Sequence, residues 1–235
     1  MDAIIISDIH LGSPVCQAKA LREFLEKMYE REIIAEELIL NGDVFDSWDF
    51  RRLKKTHWKV LSMLRHLSDK MHIVWINGNH DGPSDIVSHL LGIDVAEEYR
   101  FTSGDKNILA IHGHQFDEFI TQRPITTMVG DLAYRFLQTI DPSFQLARRA
   151  KRASKTFLRS TETIEKKAVE YAKRIGCSIV CCGHTHLEVS KLGEISYFNS
   201  GCWTESPCSY LTIHDGEVGQ RYFESAAERE PAVTV

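Results

Sequence analysis

Hydrophobic positions along this chain follow two alternating patterns. Short β-branched runs at 3–7, 38–41, 73–76, 108–111, 178–182, 195–198 and 210–213, with a last one near Tyr222, have the length and composition of strands. Between the early runs, Leu21, Phe24, Leu25 and Met28 recur at helical spacing, as do Val60, Leu61, Leu64 and Leu67. Strand–helix alternation in the first half, then strands close together at the end, predicts an α/β layered fold with a partly antiparallel C-terminal sheet.

Residues 118–175 depart from that alternation. They read as helix throughout, broken only around Asp141-Pro142, with Phe157, Thr161, Ile164, Ala168, Tyr171 and Ile175 on one face of the last helix. That is too long for a crossover connection and predicts a helical insertion, a cap. The expected organisation is one domain over 1–225 carrying this insertion, then a flexible tail over 226–235.

Composition adds a charge asymmetry. The chain has 235 residues, 43% of them hydrophobic, enough for a full core. Its net charge is −5, yet residues 121–174 hold 12 Lys/Arg against 5 Asp/Glu. A basic segment on an acidic body suits an anionic substrate or a membrane surface, or is simply a solvated helical face. The first residues enter an apolar run without a charged leader, so no signal peptide is expected, and no apolar stretch reaches membrane-spanning length. The six cysteines (16, 177, 181, 182, 202, 208) form no CxxC pair or regular framework and read as reduced thiols of a cytoplasmic protein.

The chemistry lies at the strand ends. Successive strands run into Ser7-Asp8-Ile9-His10, Asn41-Gly42-Asp43, Asn77-Gly78-Asn79-His80-Asp81, His112-Gly113-His114 and Gly183-His184-Thr185-His186. In α/β sheets ligand sites gather at the carboxyl ends of strands, so residues this far apart in sequence are expected to meet in one crevice. Carboxylate, Asn carbonyl and imidazole suit Mn, Fe, Zn or Co rather than calcium. On an extended strand end, D-x-H and H-x-H would present both side chains on the same side, and glycine before the ligand (Gly42, Gly78, Gly183) permits close approach.

The series DIH, GD, GNHD, HGH, GHTH resembles the calcineurin-like metallophosphoesterase superfamily, from Asp8 to His186. The resemblance implies a two-sheet β-sandwich flanked by helices around two divalent metal ions. Asp8, His10, Asp43 and His186 resemble the ligands of the first ion; Asp43, Asn79, His112 and His184 resemble those of the second, with Asp43 bridging. His112 matches the family position better than His114, which would then lie behind the ligands or face the substrate. SDIHLG, GDVFDSW, HGHQFD, the helical insertion, GHTH and YFNSGCWTES further resemble the UDP-2,3-diacylglucosamine pyrophosphohydrolase group. That implies manganese as the metal, with iron or zinc fitting the same ligands, and a nucleotide-linked lipid substrate of lipid A biosynthesis. The best-known members of the group read GNRD where this chain reads GNHD. His80 is the general superfamily choice and points to the alternative of small nucleotides or other phosphate esters.

Such a pair of cations activates water for in-line attack on phosphorus. Asn79 would neutralise charge on the phosphoryl oxygens, and His80 would protonate the leaving oxygen or bind phosphate, with Asp81 orienting its imidazole. Asp46 is read as a carboxylate that holds a ligand histidine, with His10 its natural partner. In the insertion, Arg148, Arg152, Lys155 and Arg159 stack along one side of a helix; facing the crevice, Arg152 and Lys155 would bind substrate phosphate, and facing outward they are solvated. The apolar residues from Ile125 to Phe144 are either an acyl-chain pocket or the interior of a helical hairpin, and the cap offers peripheral contact with the inner face of a membrane. With no stacking aromatics interleaved with the basic stripe and an acidic chain overall, no stable nucleic-acid partner is expected.

Overall fold

The computed structural model describes residues 1–82, 84–117 and 155–226. Two compact units emerge, one from Met1–His112 with Ala172–Val235, the other Gly113–Tyr171.

The first unit is a two-sheet sandwich. One sheet has the order β11-β10-β1-β2-β3-β4 and the other β5-β6-β7-β9-β8. The strands are β1 (Ala3–Ile6), β2 (Glu37–Asn41), β3 (His72–Ile76), β4 (Asp94–Ala96), β5 (Glu98–Ser103), β6 (Lys106–Ile111), β7 (Ile179–Cys182), β8 (Glu188–Lys191), β9 (Ser196–Ser200), β10 (Cys208–His214) and β11 (Glu217–Phe223). β1 to β4 run parallel, and β10 and β11 add antiparallel partners at one side. In the second sheet β6, β7 and β9 run parallel between antiparallel edges. The mixed α/β fold agrees with expectation, but the last strands do not form one C-terminal sheet: β10 and β11 join the first sheet, β8 and β9 the second.

The apolar runs have no polar alternation because both faces of the first sheet are covered. Ile4, Ile6, Leu38, Leu40, Ile73 and Trp75 pack under helices α1 (Ala18–Tyr29) and α2 (Lys55–Ser68), against Leu21, Phe24, Leu25, Val60, Leu61 and Leu64. Their neighbours Ala3, Ile5, Ile39, Val74 and Ile76 point the other way, onto Ile108, Ala110, Ile179, Cys181 and Phe198 of the second sheet. Period two along each strand thus splits one hydrophobic run between two cores.

Three strands and a helix lacked a legible signal. β4, β5 and β8 read DVA, EYRFTS and EVSK and lie at sheet edges, half-buried or exposed but for Ser103. α3 (Ser84–Leu91) is only two turns long. All six cysteines are free thiols. In the last helix, α4 (Lys155–Arg174), Ile164, Ala168 and Ala172 are buried at intervals of four. The expectations for 118–154, including the Asp141-Pro142 break, the apolar Ile125–Phe144 run and Arg152, and for the tail beyond Ala226, lie outside the described residues. Among the described residues no helix is long and apolar enough to cross a membrane.

Candidate metal centre

β1, β2, β3, β6 and β7 end at one rim of the sandwich, and Asn41 ties that rim together. Its side chain, from the first sheet, donates to the carbonyls of Ile111 and Cys181 in the second, at 3.3 and 3.2 Å. Its own carbonyl accepts the Nδ1 proton of His112 at 2.8 Å, which turns the opposite nitrogen, Nε2, toward Asp43 Oδ2 at 3.4 Å. The segments following β1 and β2 run side by side, with the N–H groups of Asp8, His10 and Leu11 bonded to the carbonyls of Gly42, Asp43 and Val44.

The backbone there is not an extended strand end. β1 stops at Ile6, and Asp8, His10, Asp43, His184 and His186 all adopt positive φ between 52° and 66°. The left-handed region costs a non-glycine residue about 1–2 kcal/mol. Five such residues at one rim are strain held by the surrounding hydrogen bonds, a mark of functional sites. The expectation that D-x-H and H-x-H face one way through strand periodicity is therefore corrected: alternating left-handed residues, rather than a pleat, bring these side chains together.

Each acidic group is divided between fold and site. Asp8 Oδ2 accepts from Ser7 Oγ and from the His184 N–H, leaving Oδ1 facing His186 Nε2 at 3.2 Å. Asp43 Oδ1 accepts the His80 N–H at 2.9 Å, leaving Oδ2 3.4 Å from His112 Nε2 and 3.7 Å from His10 Nε2. Close approach is possible only because glycines stand behind these groups. A Cβ on Gly78 would lie 2.2 Å from Asp43 N and Oδ1, and one on Gly42 would lie 2.2 Å from His112 Nδ1.

The donor atoms fall into three groups, each spanning less than 4.8 Å: Asp8, His10 and His186; His10, Asp43 and His80; and Asp43, His112 and His184. His10 and Asp43 each belong to two groups, so the three form one continuous cluster. The residues fit divalent cations. His10 Nε2 and His186 Nε2 face each other at 3.2 Å with Asp8 Oδ1 beside them. Imidazole nitrogens bound to one cation at about 2.1 Å stand about 3 Å apart, close to this spacing.

Charge tells the same story. Burial strips His10 of its proton, to about 4. Burial also opposes charge on His112 and His186, but Asp43 beside the first and Asp8 beside the second outweigh it and raise them to about 9 and about 10. The same pairing overcomes burial at Asp8, lowered to about 2, and holds Asp43 well below the carboxylate range. Without metal, protons on His112 and His186 stand in for the positive charge that the carboxylates call for.

The other expected residues are placed as follows. Asn79 is exposed in the loop after β3, between Gly78 and His80. His80, read from sequence as outside the ligand set, brings a ring nitrogen into the group of His10 and Asp43. Its Nδ1 meets the Asp46 carbonyl at 3.1 Å, so Asp46, rather than Asp81, orients it. Asp81 is committed to the fold, accepting from the N–H groups of Phe45 and Gly78 and from Trp75 Nε1; burial and the Asp43 charge raise it to about 6. The Asp46 carboxylate faces His10 Nδ1 at 3.7 Å, longer than a hydrogen bond, and pairs with Arg52. Among the described residues the three donor groups contain His112 and not His114, which opens a short 3-10 turn, His114–Phe116, in the second unit. Lys155 is the first residue of α4.

Sequence reading assigned no role to Ser7, Asn41, Asn199 or Cys202. Asn199 holds the His184–His186 turn by donating to Gly183 O and Thr185 Oγ1 at 2.6 and 3.2 Å, and the Cys202 side chain is among the groups that raise His186. The YFNSGCW run was the available signal.

A mixed sandwich with His/Asp donors at the ends of its strands is the arrangement of a metallophosphoesterase. The chain belongs to the calcineurin-like phosphoesterase family, which it matches over residues 1–188; members of the family use divalent metals. Among curated proteins it is similar to the DNA polymerase II small subunit of Halobacterium salinarum, 25% identical over 230 residues covering 86% of this chain and 44% of that one. The chain thus spans less than half the length of that relative. Among solved structures it is similar to Yfce, a phosphoesterase from E. coli, with 20% identity, 95% and 100% of the two chains covered and a TM-score of 0.50. It is also similar to a single mutant of Vps29 from Entamoeba histolytica, with 17% identity, 96% and 100% covered and a TM-score of 0.49.

Proposed function

We propose that this phosphoesterase hydrolyses the pyrophosphate bond of a nucleotide-linked lipid of the UDP-2,3-diacylglucosamine type, with two divalent cations, manganese by preference. Asp8, His10, Asp43, Asn79, His112, His184 and His186 would hold the cations. When bound, the pair supplies an acidified water and neutralises charge on the phosphoryl oxygens. The observation that carries the hydrolytic reading is the single free oxygen of Asp43, Oδ2, facing both His10 and His112.

The chain's own groups do the rest. The His80 N–H fixes the Asp43 carboxylate, and the Asn41 carbonyl fixes the His112 tautomer. With its Nδ1 donating to the Asp46 carbonyl, His80 in its protonated form would donate from Nε2 to the leaving oxygen or a phosphoryl oxygen. The SDIHLG, GDVFDSW, HGHQFD and YFNSGCWTES runs support the lipid-linked substrate, and the basic 121–174 segment, proposed as a cap that reaches anionic substrate or membrane through Arg152 and Lys155, supports it too.

His80 favours a second reading, hydrolysis of simple phosphodiesters, which a relative named as a DNA polymerase subunit also supports. Manganese-loaded full chain assayed side by side separates the two. UMP release from the acylated UDP-sugar, faster than hydrolysis of bis-p-nitrophenyl phosphate or cyclic nucleotides, is expected. Turnover of the simple diesters alone would discard the lipid-linked substrate.

A further inference from the structure

Trp48 presents a ring that the fold does not use. Trp48 is 59% exposed, whereas Trp75 and Trp203 are fully buried. Trp58, also exposed, lies on α2; Trp48 is tied to the metal centre. Its ring abuts the Gly82 backbone so closely that a Cβ there would fall 1.6 Å from Cε2. Gly82 is two residues beyond His80, and Asp46, whose carbonyl meets His80 Nδ1, is two residues before Trp48.

The loop carrying the ring is fixed on both sides. Arg52 Nη1 bonds Asp46 Oδ2 at 2.5 Å and Ser47 Oγ at 3.0 Å, just before Trp48. Asp49 accepts the Arg51 N–H, capping the turn Phe50–Arg52, and Phe50 packs edge-on against Phe45 with ring centres 5.2 Å apart. A flat aromatic face held in water beside a phosphoryl site is a pre-organised surface for a planar partner. An acyl chain would need enclosure that one exposed ring does not give.

We propose that Trp48 is the stacking platform for the nucleobase of the substrate, holding the base on the indole while its phosphate lies on the His80 and Asp43 side of the metal centre. This rests on the nucleotide-linked reading above and deepens it. Every base has a π face, so stacking grips the base with little regard to its identity.

The test is titration of manganese-loaded full chain with UMP and with ribose 5-phosphate, which share sugar and phosphate and differ by the base. The native chain is expected to bind UMP at least about 10-fold more tightly, the scale of one base–aromatic stack. Trp48→Ala should lose that advantage with ribose 5-phosphate affinity and metal content unchanged, and Trp48→Phe should keep most of it. An advantage that persists in Trp48→Ala overturns the platform and leaves the proposed function standing. Equal binding of the two ligands by the native chain also overturns the platform. Failure of either phosphate to bind in a metal-dependent way removes the proposed function with it.

Discussion

The parallel strands of the first sheet carry a histidine–carboxylate cluster at each end, and the two behave oppositely. At the amino ends, Glu37, His72 and Asp94 open β2, β3 and β4. His72 places Nδ1 3.1 Å from Glu37 and Nε2 3.3 Å from Asp94, and Tyr99 donates to Glu37 at 3.0 Å. Both ring nitrogens are occupied, His72 and Asp94 are exposed with Glu37 half-buried, and the backbone is ordinary strand. At the carboxyl ends the same residue types are buried or half-buried, five of them are held at positive φ, and their donor atoms converge in three overlapping groups. Residue type does not make a metal site; convergence of several donors from different strands on one rim does.

The sharpest way to break that contrast is Asp43→Ala. Its Oδ2 is the atom common to two donor groups, so both cations should be lost, with turnover falling at least about 1,000-fold, the scale of a metal that generates its own nucleophile. Elemental analysis and turnover on purified protein check it. Two ions per chain in the variant would end the bridging assignment.

Next is Gly78→Ala. A Cβ 2.2 Å from Asp43 N and Oδ1 must displace the carboxylate or its loop, so metal affinity should drop about 10- to 100-fold, as it does when supporting contacts of ligands are removed. Circular dichroism should stay native, since the sandwich does not depend on this contact. Unchanged affinity would mean that the rim is soft, contrary to the strain it holds.

Why was one cluster legible in the sequence and the other not? The rim announced itself because Gly42, Gly78 and Gly183 precede ligand positions and because each motif follows a short apolar run. Its chain order matched a family pattern, down to Asp43 as the shared carboxylate. What stayed hidden depends on three dimensions. The left-handed turns at Asp8, His10, Asp43, His184 and His186 are only weakly signalled by residue type, since Asp and His adopt that conformation more often than most side chains but far less readily than glycine. Asp81 was misread because its neighbour in sequence is His80, whereas its hydrogen-bond partners are Phe45, Gly78 and Trp75. β4, β5 and β8 were missed because edge strands need no apolar run. Glu37, His72 and Asp94, scattered over nearly sixty residues, become neighbours only through the β2–β3–β4 pairing.

Proton linkage gives a subtler measure of the same difference. Raised to about 9 and about 10 by Asp43 and Asp8 despite burial, His112 and His186 are protonated at pH 8 in the metal-free chain, and cations require them neutral. Loading at pH 8 should therefore release about two protons, read as the dependence of calorimetric heat on buffer ionisation enthalpy. Apparent metal affinity should climb with pH and flatten above about 10. Loading with no proton release at pH 8 would show that these histidines are already neutral and that the carboxylates do not govern them.

The smallest effect belongs to the amino-end cluster. Burial works against charge on His72, and its hydrogen bonds to Glu37 and Asp94 outweigh that and raise its pKa above 6.5. A raised histidine adds stability that is fully present below the unfolded value and is lost as pH rises through the folded one. Because His72 and Asp94 are exposed to solvent screening, the contribution is at most about 1 kcal/mol. His72→Ala should accordingly lower unfolding free energy by that amount or less at pH 5.5 and by less still at pH 9, measured by urea denaturation, with metal content and turnover untouched. A loss of metal in this variant would make the two ends of the sheet one coupled system, and the distinction between saturated and converging donors would fail.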